Sequence, residues 1–543
     1  MSRALLIVPH FWDPVCVPLG ITSLKAYGEA AGHQVDVFDF NTVPKVFNVQ
    51  RAYFDEGERQ FPFWKNWFIE RNGTEMLALH QILYLFGRNH PRYRELVGEV
   101  MNLDQRPADQ FLAQLDTAPF DALFEQLYGA VAARLDALLA LTQPDVVGCT
   151  VLNPTWPAAL FVLRRVKELM PQVRTVIGGP GPLMGIASRA DEVRTFVEAH
   201  DFLDYYVVGE GEEPFLQILE NPDLPRGVLD PQRGLPLEEA KRRSPAVGGL
   251  PMPDYGDLEV NRYLQLSVAS SRGCPFECSF CAETVFWKGF RKMGSGELYD
   301  RLDALAGRHH RASFFVCDSL ANQVIGPLTQ RIAAEGKPYK VDCYLRADQI
   351  CTDEKRTRAW REGGLFRARM GMESASQRIL DAMVKMTNPE NMSRSLHALA
   401  AQGIMTSTLW IVNYPGETEA EFDTTLRFIR ENAAQIYQAD AQVFQYHPEG
   451  LAHSKEIDAE SGSRHRFSDD INTILGVTPY LVERDFSAGA AYDRLERFVA
   501  TMRELQIPNP YRMFEWLAAE ERWRGMGRDS GWAPRQSLVA MNS

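Results

Sequence analysis

Short apolar runs alternate with amphipathic stretches at the start of the chain, lapse, and then return twice. Ala4 to Pro9 is apolar and reads as a buried strand. Leu19 to Ala31 has helical periodicity and stops at Gly32, and Val35 to Phe40 reads as a second strand. Over residues 43–143 the alternation gives way to helical patterns carrying Phe47, Tyr53, Phe54, Phe61, Phe63, Trp64, Trp67 and Phe68. These aromatics suit either an insertion with its own core or a cap over an active site, and their spacing does not separate the two. Strand signals resume at Val146–Val151, Thr175–Ile177 and Tyr205–Val208, with a helix over Ala158–Met170. The last two strands run into Gly178-Gly179-Pro180-Gly181 and Gly209-Glu210-Gly211-Glu212. This order predicts a doubly wound α/β domain over residues 1–220, interrupted by one helical insertion at about 43–143. Ligands in such sheets sit beyond the carboxyl ends of the strands.

Residues 221–262 carry prolines at 222, 225, 231, 236, 245, 251 and 253, a density that resists regular structure and reads as a linker. A second series follows, with strand candidates at Leu264–Ser270, Ala312–Cys317, Tyr339–Leu345, Arg367–Met372, Thr406–Val412 and Ala439–Tyr446. Helical patterns such as Thr352–Glu362, Pro389–Gln402 and Glu419–Ala433 lie between them. Six strand–helix repeats over 263–454 predict a partial (β/α)6 TIM barrel with its reactive groups at the carboxyl ends of the strands. The remainder, about 455–543, reads as a helical C-terminal region bearing Trp516, Trp523 and Trp532.

Composition narrows the function classes. A chain of 543 residues with 45% hydrophobic and 24% charged residues has room for two to four ordinary globular domains. The net charge of −13 argues against nucleic acid or an anionic membrane as the main partner. No run is long and apolar enough to span a bilayer, and the apolar start is too short for a signal segment, so a cytoplasmic location is expected. Thiols stay reduced there, and the eight cysteines are not read as a disulfide framework.

Three of them are clustered. Ser271-Arg272-Gly273-Cys274-Pro275-Phe276-Glu277-Cys278-Ser279-Phe280-Cys281 follows the first barrel strand and spaces its thiols as C-x3-C-x2-C. Thiolates so spaced can converge on one iron–sulfur cluster from a single loop. Structural zinc sites want four ligands in paired knuckles, and no second C-x2-C exists to complete one. Three ligands on a four-iron cluster leave one iron open to chelate a substrate. The motif resembles that of the radical S-adenosylmethionine (SAM) superfamily, including the aromatic Phe280 before the third cysteine. The resemblance implies a [4Fe-4S] cluster on Cys274, Cys278 and Cys281, with Phe280 beside SAM. SAM bound to the open iron would be cleaved reductively to a 5′-deoxyadenosyl radical, with an external one-electron reductant such as flavodoxin or ferredoxin as partner. Gly371-Met372-Glu373-Ser374 is similar to the family motif whose Glu binds SAM, although Glu373 could instead pair with a nearby Arg. Arg346-Ala347-Asp348 is similar to a recurring run in which Arg346 could clamp the SAM carboxylate; a structural ion pair suits it equally. Asn413-Tyr414-Pro415-Gly416-Glu417-Thr418 resembles a Gly-x-Pro-Gly-Glu-Thr run, with Asn413 in place of the usual small residue. Glu417 and Thr418 read as the cap of the following helix.

The amino-terminal segment resembles the Rossmann-like cobalamin-binding domains fused to such barrels. The resemblance rests on Pro18-Leu19-Gly20, on Gly32-His33 before Val35-Asp36-Val37, and on the two later glycine runs. It implies cobalamin contacts at Leu19, Gly20, Thr150, Gly178, Gly179, Pro180, Gly209, Glu210 and Gly211. No Asp-x-His-x-x-Gly run supplies a histidine to cobalt. The subfamily implies a C-methyltransferase that moves a methyl group from methylcobalamin to an unactivated carbon of a small-molecule or peptide natural product. A radical cyclase or ring-rearranging enzyme, with or without corrin, is the alternative, and a non-catalytic scaffold a third reading. The catalytic residues toward the substrate and the substrate itself are not legible in the chain.

Overall fold

The fold was obtained as a computed structural model, which describes residues 1–12, 15–61, 67–102, 107–181, 190–230, 239, 242–281, 283–444, 464–476, 480–481, 488–508, 513–529 and 531. Two six-stranded parallel sheets organise it. The first contains β1 (Arg3–Val8), β2 (Gln34–Asp39), β3 (Val146–Thr150), β4 (Arg174–Gly178), β5 (Tyr205–Val207) and β6 (Gly227–Leu229), in the order β2-β1-β3-β4-β5-β6. The unbroken apolar run Ala4–Val8 is buried throughout, as a central parallel strand covered on both faces requires. Its register places Leu6 between Val37 of β2 and Gly148 of β3. The order reverses at β1, the switch point beyond which doubly wound sheets hold ligands.

β6 corrects the linker reading. It lies in the proline-rich stretch and pairs parallel to β5 through Tyr205↔Gly227 and Val207↔Leu229. The prolines flank it and leave its three-residue core clear to form the edge of the sheet. Pro231 and Pro236 lie outside the described residues.

The second sheet comprises β7 (Leu266–Val268), β10 (Ser313–Val316), β11 (Lys340–Leu345), β12 (Leu365–Glu373), β13 (Met405–Val412) and β14 (Gln438–Val443), all parallel and in chain order, with β7 and β14 as edges. A short antiparallel pair, β8 (Ser271–Arg272) with β9 (Arg291–Lys292), follows β7. The strands start and stop within a few residues of their sequence-based bounds, and Tyr446 lies outside the described residues. Helices between the strands are capped by local chemistry. Asp353 accepts from Lys355 and Arg356 N–H groups, Ser376 from Ile379 and Asn388 from Asn391.

Five helices, Pro44–Gln60, Trp67–Gly87, Tyr93–Met101, Ala108–Gln114 and Ala118–Thr142, fill the interval between β2 and β3. Their aromatics pack on one another: Phe61 stacks on Phe111 at 4.3 Å, and Tyr53 lies 5.0 Å from Phe120 and 5.6 Å from Phe124. This is a core. No described residue of 43–143 lines the cavity discussed below, so the cap reading gives way. Phe63 and Trp64, and the side chains of Phe47, Trp67 and Phe68, lie outside the description.

The C-terminal region contributes helices Asp469–Leu475, Ala488–Glu504 and Met513–Gly525, and also a two-stranded antiparallel pair, β15 (Arg464–His465) with β16 (Tyr480–Leu481). Trp523 is fully buried, set edge-on to Tyr437 and donating from Nε1 to the Gly403 carbonyl at 3.2 Å. The Trp516 side chain and Trp532 lie outside the description. Among the described residues no helix is long and apolar enough to cross a membrane.

Segments beyond the carboxyl ends of β1 and β2 are stitched to the residues that lead into β7. Val17 N–H donates to Gln265 O at 3.2 Å and Gln265 N–H to Val15 O at 3.0 Å, a single parallel bridge that extends the β7 edge. The Tyr263 hydroxyl donates to Asp39 at the end of β2 at 2.6 Å, both groups being buried. Burial pushes the Asp39 carboxyl up to about 6, against the hydrogen bonds from Tyr263 and Asn41 that favour its ionised form. Tyr263→Phe is expected to cost about 1–3 kcal/mol, because a buried carboxylate loses a donor. The raised pKa sets the pH dependence. Because the Tyr263 hydrogen bond lowers the Asp39 pKa, the variant's carboxyl titrates above 6; the deficit is full above that higher pKa and fades as pH falls to about 6. Denaturant titrations of both proteins across pH 5–8 check this; a pH-independent deficit would assign it to packing.

Candidate functional site

A largely apolar cavity of about 360 Å3 opens between the carboxyl ends of the two sheets. All nine residues that the resemblance assigns to corrin line it. The barrel supplies the facing wall, including Ser267, Ala269, Ser271, Arg272 and Cys317, with Trp12 and Trp287 at its margins. That half of the wall was missed in the sequence, because nothing in the spacing says that β7 ends beside β1.

The glycines do different jobs. Gly179 has φ +124°, and a Cβ there would stand 2.5 Å from the Val151 carbonyl oxygen, so the backbone path itself demands glycine. Gly209, at φ +81°, is likewise in the left-handed region. Gly20, at the start of helix Leu19–Ala30, has nothing within 4 Å of a would-be Cβ. Gly20→Leu is therefore expected to leave the fold intact and fill the cavity, lowering retention of added hydroxocobalamin at least tenfold in equilibrium dialysis. Retention at the wild-type level would show that this wall is not used. Gly179→Leu would first displace β3 and is the poorer probe.

Glu210 lines the cavity with its carboxylate paired to Arg272 at 2.7 Å and to Arg291.

The cysteine loop is held from three sides. The β8–β9 pair brackets it through Arg272↔Arg291. Gly273, at φ +77°, passes so close to the Gly289 carbonyl that no side chain fits. Fully buried Asp318 accepts from the N–H groups of Ser270 at 2.7 Å and Ser271 at 3.0 Å, and from the Ser270 hydroxyl. Asp318 follows β10 and belongs to no motif, so this anchor was not legible in the chain. Inside the loop, Ser279 N–H donates to Met383 O at 3.0 Å and its hydroxyl pairs with Tyr414 at 2.8 Å.

Cys278 is buried, and Cys274 and Cys281 are partly exposed. Burial, helped by the neighbouring Glu283, Cys278 and Cys274, pushes the Cys281 thiol up to about 12. Burial and Cys278 raise Cys274, while Arg346 and Lys385 pull it down. Among the described residues no set of three or more His, Cys, Asp or Glu groups is closed around a point as a metal site. The donor set nonetheless fits a cluster: three soft ligands on one short loop, whose unfavourable thiolates iron would stabilise. Cys16, Cys149, Cys317, Cys343 and Cys351 lie on other elements.

Glu373 ends β12 at φ +63° and is buried with Lys385, whose Nζ donates to it at 2.7 Å. Its partner is thus a lysine, not the arginine weighed from the sequence. A Cβ at Gly371 would meet the Glu373 carboxylate and the Lys385 ammonium, so a side chain there would push the pair aside. Lys385 Nζ also lies 5.4 Å from the centre of the Phe280 ring, next to Cys281. Arg346 packs its guanidinium 3.9 Å over Phe276, within the cysteine loop. It is 94% buried, its Nη2 has no hydrogen-bond partner, and among the described residues no carboxylate lies within 4.0 Å of it. The ion-pair alternative for Arg346 is therefore not what the structure shows; a buried donor without a partner is what an anionic ligand would complete. Asn413, at φ +64°, accepts from Arg494 Nη1 at 3.2 Å, and its own N–H donates to Glu417 at 2.9 Å. Thr418 caps helix Glu419–Glu431 through a reciprocal bond with Glu421. Glu417 is not part of that cap: it is buried against Arg494, 3.3 Å away, and burial pushes its carboxyl up to about 7.

Residues 268–429 match the radical SAM superfamily. The match is confined to that stretch, and the sequence relatives include methyltransferases. Its fold is that of the radical SAM methyltransferase TsrM from Kitasatospora setae, solved with cobalamin and a [4Fe-4S] cluster bound. The TM-score is 0.61 at 14% identity, covering 100% of this chain and 99% of that one. Among sequence relatives, the anaerobic magnesium-protoporphyrin IX monomethyl ester cyclase of Rubrivivax gelatinosus is 27% identical over 309 residues, 53% of this chain and 54% of that protein. The cobalamin-dependent radical SAM methyltransferase TokK of Streptomyces tokunonensis is 25% identical over 378 residues, 64% of this chain and 53% of that protein. The chain thus spans about half the length of these relatives.

Proposed function

We propose that this chain is a cobalamin-dependent radical SAM C-methyltransferase acting on a small-molecule or peptide natural product. The observation that carries the reading is one cavity with two walls: the strand-end glycines of the first sheet face Ser271 and Arg272, which lead directly into the cysteine loop. In this reading residues 1–229 form the corrin-binding unit and 263–454 the radical unit. Cys274, Cys278 and Cys281 hold the cluster. Arg346 offers its unpartnered Nη2 to the SAM carboxylate, and Glu373, within the Lys385 pair, faces the SAM ammonium. Phe276 and Phe280 wall the site beneath the two cations and keep water from them. Asn413 shapes the loop after β13 with its side-chain oxygen committed to Arg494. When bound, the cluster supplies the electron that splits SAM and the corrin supplies the methyl group. A reduced flavodoxin or ferredoxin delivers that electron from outside.

The cyclase relative favours a second reading, a radical cyclase that transfers no methyl group. Incubation with SAM, hydroxocobalamin, reduced flavodoxin and candidate substrates separates the two by mass spectrometry. Methyl transfer yields S-adenosylhomocysteine together with 5′-deoxyadenosine, and a product heavier by one methylene. 5′-Deoxyadenosine with product but without S-adenosylhomocysteine would replace this reading by the cyclase.

A further inference from the structure

The loop that carries the first sheet's last glycines and the loop that carries the cysteines are joined by charge. Glu210 and Glu212 follow β5; Arg272 sits two residues before Cys274, and Arg291 is its partner across the β8–β9 pair. Arg272 donates to Glu210 at 2.7 Å and to Glu212 at 3.2 Å, with a second, shorter contact to Glu212. Arg291 donates to Glu210 and, at 2.8 Å, to the Pro245 carbonyl. The four side chains keep only 5–13% of their surface. The guanidinium of Arg272 also lies 5.4 Å from the Trp287 ring, which lines the cavity.

From this arrangement we infer that Glu210, Glu212, Arg272 and Arg291 are positioning residues that couple occupancy of the cavity to the geometry of the cysteine loop. Both carboxylates hang from backbone that forms the cavity wall, and both guanidiniums hang from backbone that brackets the cysteines. A buried four-charge lattice is intolerant of displacement: moving one loop by a fraction of an ångström lengthens several charge-assisted bonds at once. A ligand that fixes the first loop therefore fixes the second, and the converse holds by reciprocity. The inference rests on the corrin and cluster reading above.

The test is a linkage measurement. Hydroxocobalamin is titrated by equilibrium dialysis into anaerobically reconstituted protein, with the cluster present and after its removal by chelation. Wild type is expected to bind corrin at least about fivefold more tightly with the cluster in place, the lower end of ordinary coupling between sites. Glu210→Gln and, from the opposite loop, Arg291→Gln are each expected to keep both cofactors yet bind corrin with the same affinity in the two states. Two variants from separate elements guard against loss of one to misfolding, and wild type alone decides whether coupling exists. Equal affinities in wild type, or a wild-type ratio retained in either variant, would overturn the inference while leaving the methyltransferase reading standing. Absence of corrin binding in wild type would overturn both.

Discussion

Replacing any one of Cys274, Cys278 or Cys281 by alanine is expected to remove the brown cluster absorbance and to abolish SAM cleavage. The argument is one of ligand count. A four-iron cluster that keeps an iron open for SAM has only three protein thiolates, so no spare ligand covers a loss. Nor can the rest of the chain substitute. Cys343 and Cys351 are fully buried, and Cys16, Cys149 and Cys317 line the cavity from other elements. Alanine at Cys16, Cys317, Cys343 or Cys351 is accordingly expected to leave iron content and SAM cleavage near wild type. Iron and sulfide analysis with 5′-deoxyadenosine quantification reads both sets. An essential cysteine in the second set, or a dispensable one in the first, would replace the three-ligand assignment.

Glu373→Gln is expected to act twice, and the two effects can be pulled apart. Glu373 and Lys385 each keep 10% of their side-chain surface, so the substitution strands a buried ammonium. Breaking such a pair from one side costs about 3–5 kcal/mol. Loss of the charge-assisted contact to the SAM ammonium costs about 1.5–3 kcal/mol more on the ligand side, a ten- to hundredfold rise in Kd. In the double variant Glu373→Gln/Lys385→Met the stranded charge is gone, and much of the stability is expected to return while SAM affinity stays low. Thermal unfolding and calorimetric titration of the three proteins measure the terms separately. If the double variant bound SAM like wild type, Glu373 would be a strand-end brace and nothing more.

What could be read from the sequence follows from how local each signal is. The parallel strands announce themselves because a strand covered on both faces must be apolar throughout, as Ala4–Val8 is. The cysteine loop is legible because its ligands are neighbours in the chain. β6 was lost because three residues among prolines carry no period. Lys385 was missed for a related reason: it meets Glu373 only because β12 ends in a left-handed turn and the chain doubles back through helix Gln377–Ala382. Arg346 illustrates the limit from the other direction. Its motif suggested a clamp or an ion pair equally, and only the burial of a partnerless Nη2 favours the clamp. Glu210 stood in a glycine run that pointed to a ligand, whereas its side chain answers to two arginines that are distant in sequence.

The helical insertion also bears on how the chain is made. Leu6 finds one neighbour at Val37 soon after it is synthesised, but its other neighbour, Gly148, emerges only when the whole insertion has been translated. Until then the β1–β2 pair presents an apolar strand edge with nothing to close it, the kind of surface on which nascent chains aggregate. Of the five intervening helices, Pro44–Gln60 and Ala118–Thr142 can pack on each other during that wait, whereas Trp67–Gly87 also needs the later helices Trp156–Leu169 and Asp469–Leu475. A chain truncated at residue 143 should therefore hold helix Pro44–Gln60 packed on Ala118–Thr142 beside a first sheet still open at β1, and limited proteolysis should cut that open edge first.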